Sequence, residues 1–172
     1  METKIPFYNL VNIFLLGLLF MTGLAYITAP RWVVHVEHYE ILFQLANQWT
    51  FLLSLIAIGV IYEIGVIINR ISSIIVENIC ERWGLIHKKE ENYAAFNVAK
   101  KEYHFLYTLS REYGFSRGNL TLWLILTIIS VCYKDWGFGL VSLLLSVLFI
   151  FSMRKFSSKI QSIIKDYIHE KQ

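Results

Sequence analysis

This 172-residue chain is 56% hydrophobic and only 17% charged. Its mean hydropathy of +0.50 exceeds what a soluble domain of this length usually shows. Two prolines and nine glycines exclude a Pro/Gly-rich disordered chain or a collagen-like one. The composition therefore predicts an all-α, polytopic helical membrane protein, with residues 1–172 forming a single membrane domain.

Four apolar stretches predict helices that cross about 30 Å of hydrocarbon. They lie at about residues 8–28, 49–69, 119–133 and 136–153. Lys134 and Asp135 separate the last two stretches, which predicts a tight polar turn between antiparallel helices. Because the third stretch is short, three spans plus a re-entrant segment is the alternative.

Basic residues predict the orientation, because Lys and Arg near span ends are retained in the cytoplasm. Residues 70–117 hold eight of them and residues 154–172 hold five, whereas residues 29–48 hold Arg31 alone. We therefore expect a lipid bilayer as the first partner, with both termini in the cytoplasm. The two basic regions should form a small helical cytoplasmic cap.

The second apolar stretch continues past the bilayer edge with no helix breaker before Gly84, which predicts one long helix leaving the membrane. Glu63, Arg70 and Glu77 are spaced by seven residues, so a regular helix places them on one face beside Tyr62. These four residues are the candidate pore or intramembrane polar site.

Glu63 is the only charged residue of the second span, where a carboxylate costs about 2.5–3.5 kcal/mol on insertion scales. It must therefore face the bundle interior, a partner or water. One interpretation is structural, with the side chain reaching the cytoplasmic end or bonding to Tyr62 or another helix. The other is a pore-lining or proton-binding carboxylate. Small residues that would allow helices to pack closely are Gly59, Gly65, Ser142 and Ser146.

Both cytoplasmic regions have the pattern of amphipathic helices. Residues 85–117 mix charges with the apolar positions Tyr93, Phe96, Val98, Phe105, Leu106 and Leu109. The tail has a helical apolar stripe at Phe156, Ile160, Ile163, Ile164, Tyr167 and Ile168, which should dock on the preceding layer. Such a cap is large enough to contact a protein partner and too small for a familiar enzyme domain.

The sequence has only weak signals for a metal, nucleic-acid or cofactor site. His35 and His38 would share a helix face as weak candidate metal ligands, but the HExxH spacing is missing. Acidic residues adjoin the lysine pairs at 88–89 and 100–101, which favours a solvated face over nucleic-acid binding. The sequence has no phosphate-binding glycine loop, and we expect no cofactor. Cys80 and Cys132 should be free thiols because they are predicted near opposite ends of the spans.

A set of motifs between residues 62 and 117 resembles a known group of proteins. The motifs are Tyr62-x-Ile64-Gly65, Arg70-Ile71-x-Ser73, Glu77, Tyr93-x-x-Phe96 and Ser110-Arg111-x-Tyr113. They are similar to the core of a broad group of uncharacterised small bacterial membrane proteins that are often encoded among antiviral defence genes. The multi-span accessory proteins of type VI-B CRISPR systems have a similar size and architecture. The resemblance implies an effector or accessory protein of the bacterial inner (plasma) membrane rather than a metabolic enzyme.

Three hypotheses for function follow. The first is a homo-oligomeric, pore-like or membrane-perturbing effector in which copies of the second helix assemble around Glu63 and Arg70. The second is a passive membrane anchor or immunity-type partner of another protein. The third is a membrane-embedded enzyme that acts on lipid, with Glu63, Arg111 and Arg117 near the cytoplasmic leaflet.

Overall fold

The computed structural model describes residues 7–32, 39–86 and 93–170, and every regular element in these ranges is helical. The long helices are α1 (Phe7–Trp32), α2 (Tyr39–Ile71), α5 (His104–Tyr133) and α6 (Trp136–Glu170). The shorter elements are α3 (Glu77–Arg82), α4 (Tyr93–Glu102) and a π turn at Ser72–Val76 that joins α2 to α3. The all-α fold class is thus confirmed.

Within the described residues, four helices are long and apolar enough to cross a membrane, which supports a multi-pass membrane protein. They are Phe7–Thr28, Thr50–Arg82, Phe105–Tyr133 and Trp136–His169. The third is longer than the sequence predicts, because α5 begins at His104 and is continuous to Tyr133. Its 30 residues extend about 45 Å at 1.5 Å per residue, so no re-entrant segment is needed.

The turn between α5 and α6 is as short as predicted. Lys134 has a φ of 62°, and the N–H of Asp135 donates to the carbonyl of Ser130, which is the pattern of a Schellman C-cap. Asp135 Oδ1 then accepts the N–H of Phe138 at 3.1 Å and so caps the N-terminus of α6. Two residues therefore end one helix and begin the next.

The chain divides into two compact units. The first comprises residues 1–68 and 124–143, and the second comprises residues 69–123 and 144–172. In the first unit, α1 and α2 cross at a reciprocal pair of glycines. A Cβ on Gly17 would lie 1.8 Å from the carbonyl oxygen of Ile61, and one on Gly65 would lie 1.9 Å from that of Ile13. Only glycine permits this approach.

The predicted small-residue contacts are only partly found. Gly65 lies at the crossing with α1, and Ser142 and Ser146 are buried. Gly59, in contrast, has no described atom within 4 Å of the position a Cβ would take. The sequence alone does not distinguish Gly59 from Gly65, because both lie in the same apolar helix. The structure shows that only Gly65 packs against another helix.

In the second unit, the end of α6 packs on the junction between α4 and α5. Ala99, Leu106 and Tyr167 form a buried cluster, with Ile160 and Ile163 packed against it. Tyr103 meets Tyr167 edge-on, with ring centroids 6.1 Å apart. The apolar stripe of the tail therefore docks as predicted, although it belongs to α6 rather than to a separate helix.

Candidate functional site

The most organised polar group of the second unit joins α3 to α5. Glu77, at the start of α3, accepts a hydrogen bond on Oε1 from Tyr113 Oη at 2.9 Å, and on Oε2 it accepts one from Arg117 Nη1. Tyr113 and Arg117 are four residues apart on α5, so one helix face presents both donors. The Arg117 guanidinium also lies 5.9 Å from the centre of the Tyr113 ring. We call Glu77, Tyr113 and Arg117 the buried polar cluster.

Burial makes the ion pair of this cluster important for stability. The Glu77 side chain is 7% exposed and that of Arg117 is 13% exposed. An unpaired charge at such a site is strongly destabilising, whereas a paired and hydrogen-bonded one is tolerated. Nearby, Ser116 and Ser152 share a hydrogen bond of 2.9 Å, and Phe115 meets Phe149 edge-on. These contacts fix the face of α5 that receives Glu77.

The π turn explains how Glu77 reaches α5. The Glu77 N–H bonds to the carbonyl of Ser72, five residues back, and both side chains are buried. A π turn holds one residue more than an α turn, which shifts the residues that follow by about 100° around the helix. As a result Glu77 is buried while Arg70 is exposed, so the predicted charged face is interrupted between these two residues.

The cluster has the chemistry of a positioning device. Each carboxylate oxygen of Glu77 already accepts a hydrogen bond, and the Arg117 head group is held against that carboxylate. An acid–base or anion-binding group would need an oxygen or N–H that is accessible to substrate. Arg117 therefore does not stand open to a lipid head group, and Arg111 is half-buried on the same helix.

The second candidate site lies on α2 in the first unit. From Phe51 to Val60 every residue is exposed, on all sides of the helix, and Phe51 reaches 82%. Glu63 is also exposed, and Tyr62 beside it is half-buried. A helix that is apolar around its whole circumference requires lipid or protein around it, and a carboxylate there requires a polar partner or water. We call residues 51–60 together with Glu63 the exposed segment of α2; Ile61 and Tyr62, which lie between them, are half-buried.

Other candidate residues have simpler outcomes. Both cysteines are free, as predicted, with Cys80 buried and Cys132 exposed. His35 and His38 lie outside the described residues, as do Lys88 and Lys89.

Two important residues were not among the candidates derived from the sequence. Tyr113 appears in one of the resemblance motifs, and its spacing of four from Arg117 is the signal that links the two. Gly17 has a weaker signal, a small residue within an apolar helix, and its role depends on a partner that lies 44 residues away in the sequence. Comparison with protein-family models, curated proteins and solved structures finds no match.

Proposed function

We propose that this protein is a self-assembling effector of the bacterial inner membrane, in which copies of α2 pack together around Glu63 and form a pore-like or membrane-perturbing assembly. The observation that carries this proposal is the exposed segment of α2. Lipid is a suitable neighbour for the apolar residues 51–60, but not for the carboxylate of Glu63. A second α2 helix offers both an apolar surface and a polar group at the matching depth.

Gly59 supports close helix approach at this segment. It lies four residues before Glu63, on the same face of α2. The space around it is open, with no described atom within 4 Å of a Cβ. Small residues let transmembrane helices approach closely and so shield a polar group from lipid. The assembly would therefore bring the Glu63 side chains of neighbouring copies near a common axis.

The orientation and the biological setting are parts of the same proposal. The basic residues of regions 70–117 and 154–172 support cytoplasmic termini and a cytoplasmic cap. The role in antiviral defence is supported by the motif resemblance alone. The cap would contact a protein partner, which supplies the activating signal.

The test combines the mass of the purified protein with its conductance. Detergent-corrected light scattering gives the subunit number, and planar-bilayer recording on the same sample gives the current. We expect a discrete oligomer that conducts, and we expect Glu63→Gln to change the conductance without changing the mass. Gly59→Leu should reduce the mass to that of a monomer, because the larger side chain separates the α2 helices.

Gly114→Leu is the matched control. Gly114 also has no described atom within 4 Å of a Cβ, but it lies on α5 outside the exposed segment. It should keep the mass and the conductance of the original protein. A monomer that does not conduct would contradict the proposal and would favour the passive anchor or immunity-type partner. In that case a second protein would cover the exposed segment of α2.

A further inference from the structure

The π turn leaves the following helix with two possible registers. In the observed one, the N–H of Glu77 bonds to Ser72 across five residues, and Glu77 and Cys80 are the buried residues of α3. If residues 72–76 formed an α-helix instead, the residues after them would turn by about 100°. The side chains four and seven residues after the buried Ser72 would then follow it on one face. Those side chains are Val76 and Ile79.

The second register is as compatible with the sequence as the first. Val76 and Ile79 are apolar, and in the observed register Ile79 is 43% exposed. The α register would bury both and would remove Glu77 from the interior. Glu77 would then lie about 20° from Arg70 around the helix, because the two are seven residues apart. The seven-residue spacing of Arg70 and Glu77 thus places both on one face in the α register, whereas the observed π turn separates them.

The observed register also has an unfavourable feature that the cluster offsets. The Ser72 hydroxyl is fully buried, and neither it nor Arg117 Nε has a hydrogen-bond partner among the described residues. Unsatisfied buried polar atoms are rare and destabilising, and π turns are less favourable than α-helical ones. The hydrogen bonds from Tyr113 and Arg117 to Glu77 hold the π turn in place.

We propose that residues 72–82 are a two-register switch. In the π register, Glu77 is bound by Tyr113 and Arg117, and Cys80 is buried. In the α register, Val76 and Ile79 take the buried positions, and Glu77 lies on the exposed face with Arg70. The α register frees the Arg117 side chain, so a partner or ligand that binds Arg117 would favour that register and thereby rotate the surface that the helix presents.

Two cysteine reporters test the switch, because the registers exchange which neighbouring residue is buried. In the full-length protein with Cys132→Ser, Cys80 is the only thiol, and its rate of reaction with N-ethylmaleimide reports its exposure. The second reporter combines Ile79→Cys with Cys80→Ser and Cys132→Ser. Each is compared with and without Arg117→Gln. Glu77→Gln serves as the second perturbation if the first variant does not fold.

The switch predicts changes of opposite sign. Arg117→Gln should raise the reaction rate of Cys80 by about tenfold or more. This factor corresponds to losing one hydrogen bond to a charged group. The reporter at position 79 should react more slowly. Local unfolding would raise both rates. A direct effect of the lost charge would also have the same sign at both positions, because removing the Arg117 cation disfavours both thiolates and removing the Glu77 carboxylate favours both. Changes of the same sign at both positions, or no change at either, would overturn the proposal.

Deleting Ile75 provides the matched control. The deletion removes the extra residue of the π turn, so residues 72–82 become a regular helix while Glu77 still faces α5. Arg117→Gln should then leave the rate of Cys80 unchanged, because no second register is available. A rate that rises as much as it does without the deletion would also overturn the two-register switch.

Discussion

The glycine crossing between α1 and α2 gives the sharpest prediction on stability. In Gly17→Ala, the new Cβ would lie 1.8 Å from the carbonyl oxygen of Ile61. A carbon and an oxygen in such a contact need about 3.3 Å, so the two helices must separate by about 1.5 Å. The obstacle is backbone on a rigid helix, and no rotamer change relieves it.

The magnitude follows from two opposing effects. Forcing an extra carbon into a packed interface costs about 1–3 kcal/mol. The higher helix propensity of alanine returns up to about 1 kcal/mol. We therefore expect Gly17→Ala to be less stable than Gly114→Ala, which gains the same propensity without the clash, by about 1–3 kcal/mol, and its Tm in detergent to be lower by about 2–12 °C. Thermal unfolding followed by tryptophan fluorescence measures this.

Gly114→Ala is the control, because Gly114 lies on α5, outside the segment of α2 that is proposed to pack between copies. No described atom lies within 4 Å of its Cβ position, so only the propensity effect operates, and the Tm should stay constant or rise. Gly65→Ala should resemble Gly17→Ala, and the double variant should lose less than the sum because both changes separate the same helices. If Gly17→Ala were as stable as Gly114→Ala, the close crossing would be refuted.

Three further predictions concern stability, each measured by the same unfolding assay. Arg117→Met should cost about 1.5–3 kcal/mol, because it removes a hydrogen bond to the Glu77 carboxylate while the change to the α register limits the loss, whereas adding Glu77→Met should recover most of that loss; equal losses in the single and double variants would contradict this. Lys134→Gly should stabilise by about 1 kcal/mol, because a non-glycine residue at a φ of 62° is strained; an unchanged Tm would show that Lys134 carries no such strain. Leu106→Ala should cost about 2–5 kcal/mol by leaving a cavity beneath Tyr167, and a loss below about 1 kcal/mol would mean that this cluster is not a packed core.

The sequence predicts features of this fold that depend on local signals. The apolar stretches locate four helices, and the Lys134-Asp135 pair locates the turn before α6. Gly84 marks the end of α3, where its φ of 68° continues the chain in a conformation that other residues avoid. The stripe in the tail correctly predicts which side of α6 docks, because a period of 3.6 is visible within a dozen residues.

Features that depend on a partner far along the chain are missed. The polar start of α5 is predicted as part of a cytoplasmic helical region separate from the third span, whereas in the structure one helix runs from His104 to Tyr133. The π turn interrupts the seven-residue charge spacing and brings Glu77 into a hydrogen-bonded ion pair with Arg117, which lies 40 positions away. No pattern within residues 72–82 indicates that Arg117 is present. The irregular turn and the distant contact that stabilises it are therefore visible only in the structure.

The position of Tyr167 has a consequence for how the protein is made. The buried cluster of the second unit needs Ala99 and Leu106 together with Tyr167, which is synthesised 102 residues after Gly65. Its core is therefore incomplete until Tyr167 has left the ribosome, whereas the glycine crossing of α1 and α2 needs nothing beyond Gly65. The ribosome thus supplies these contacts in a fixed order, and a chain released early would have a formed helix pair but no closed second core.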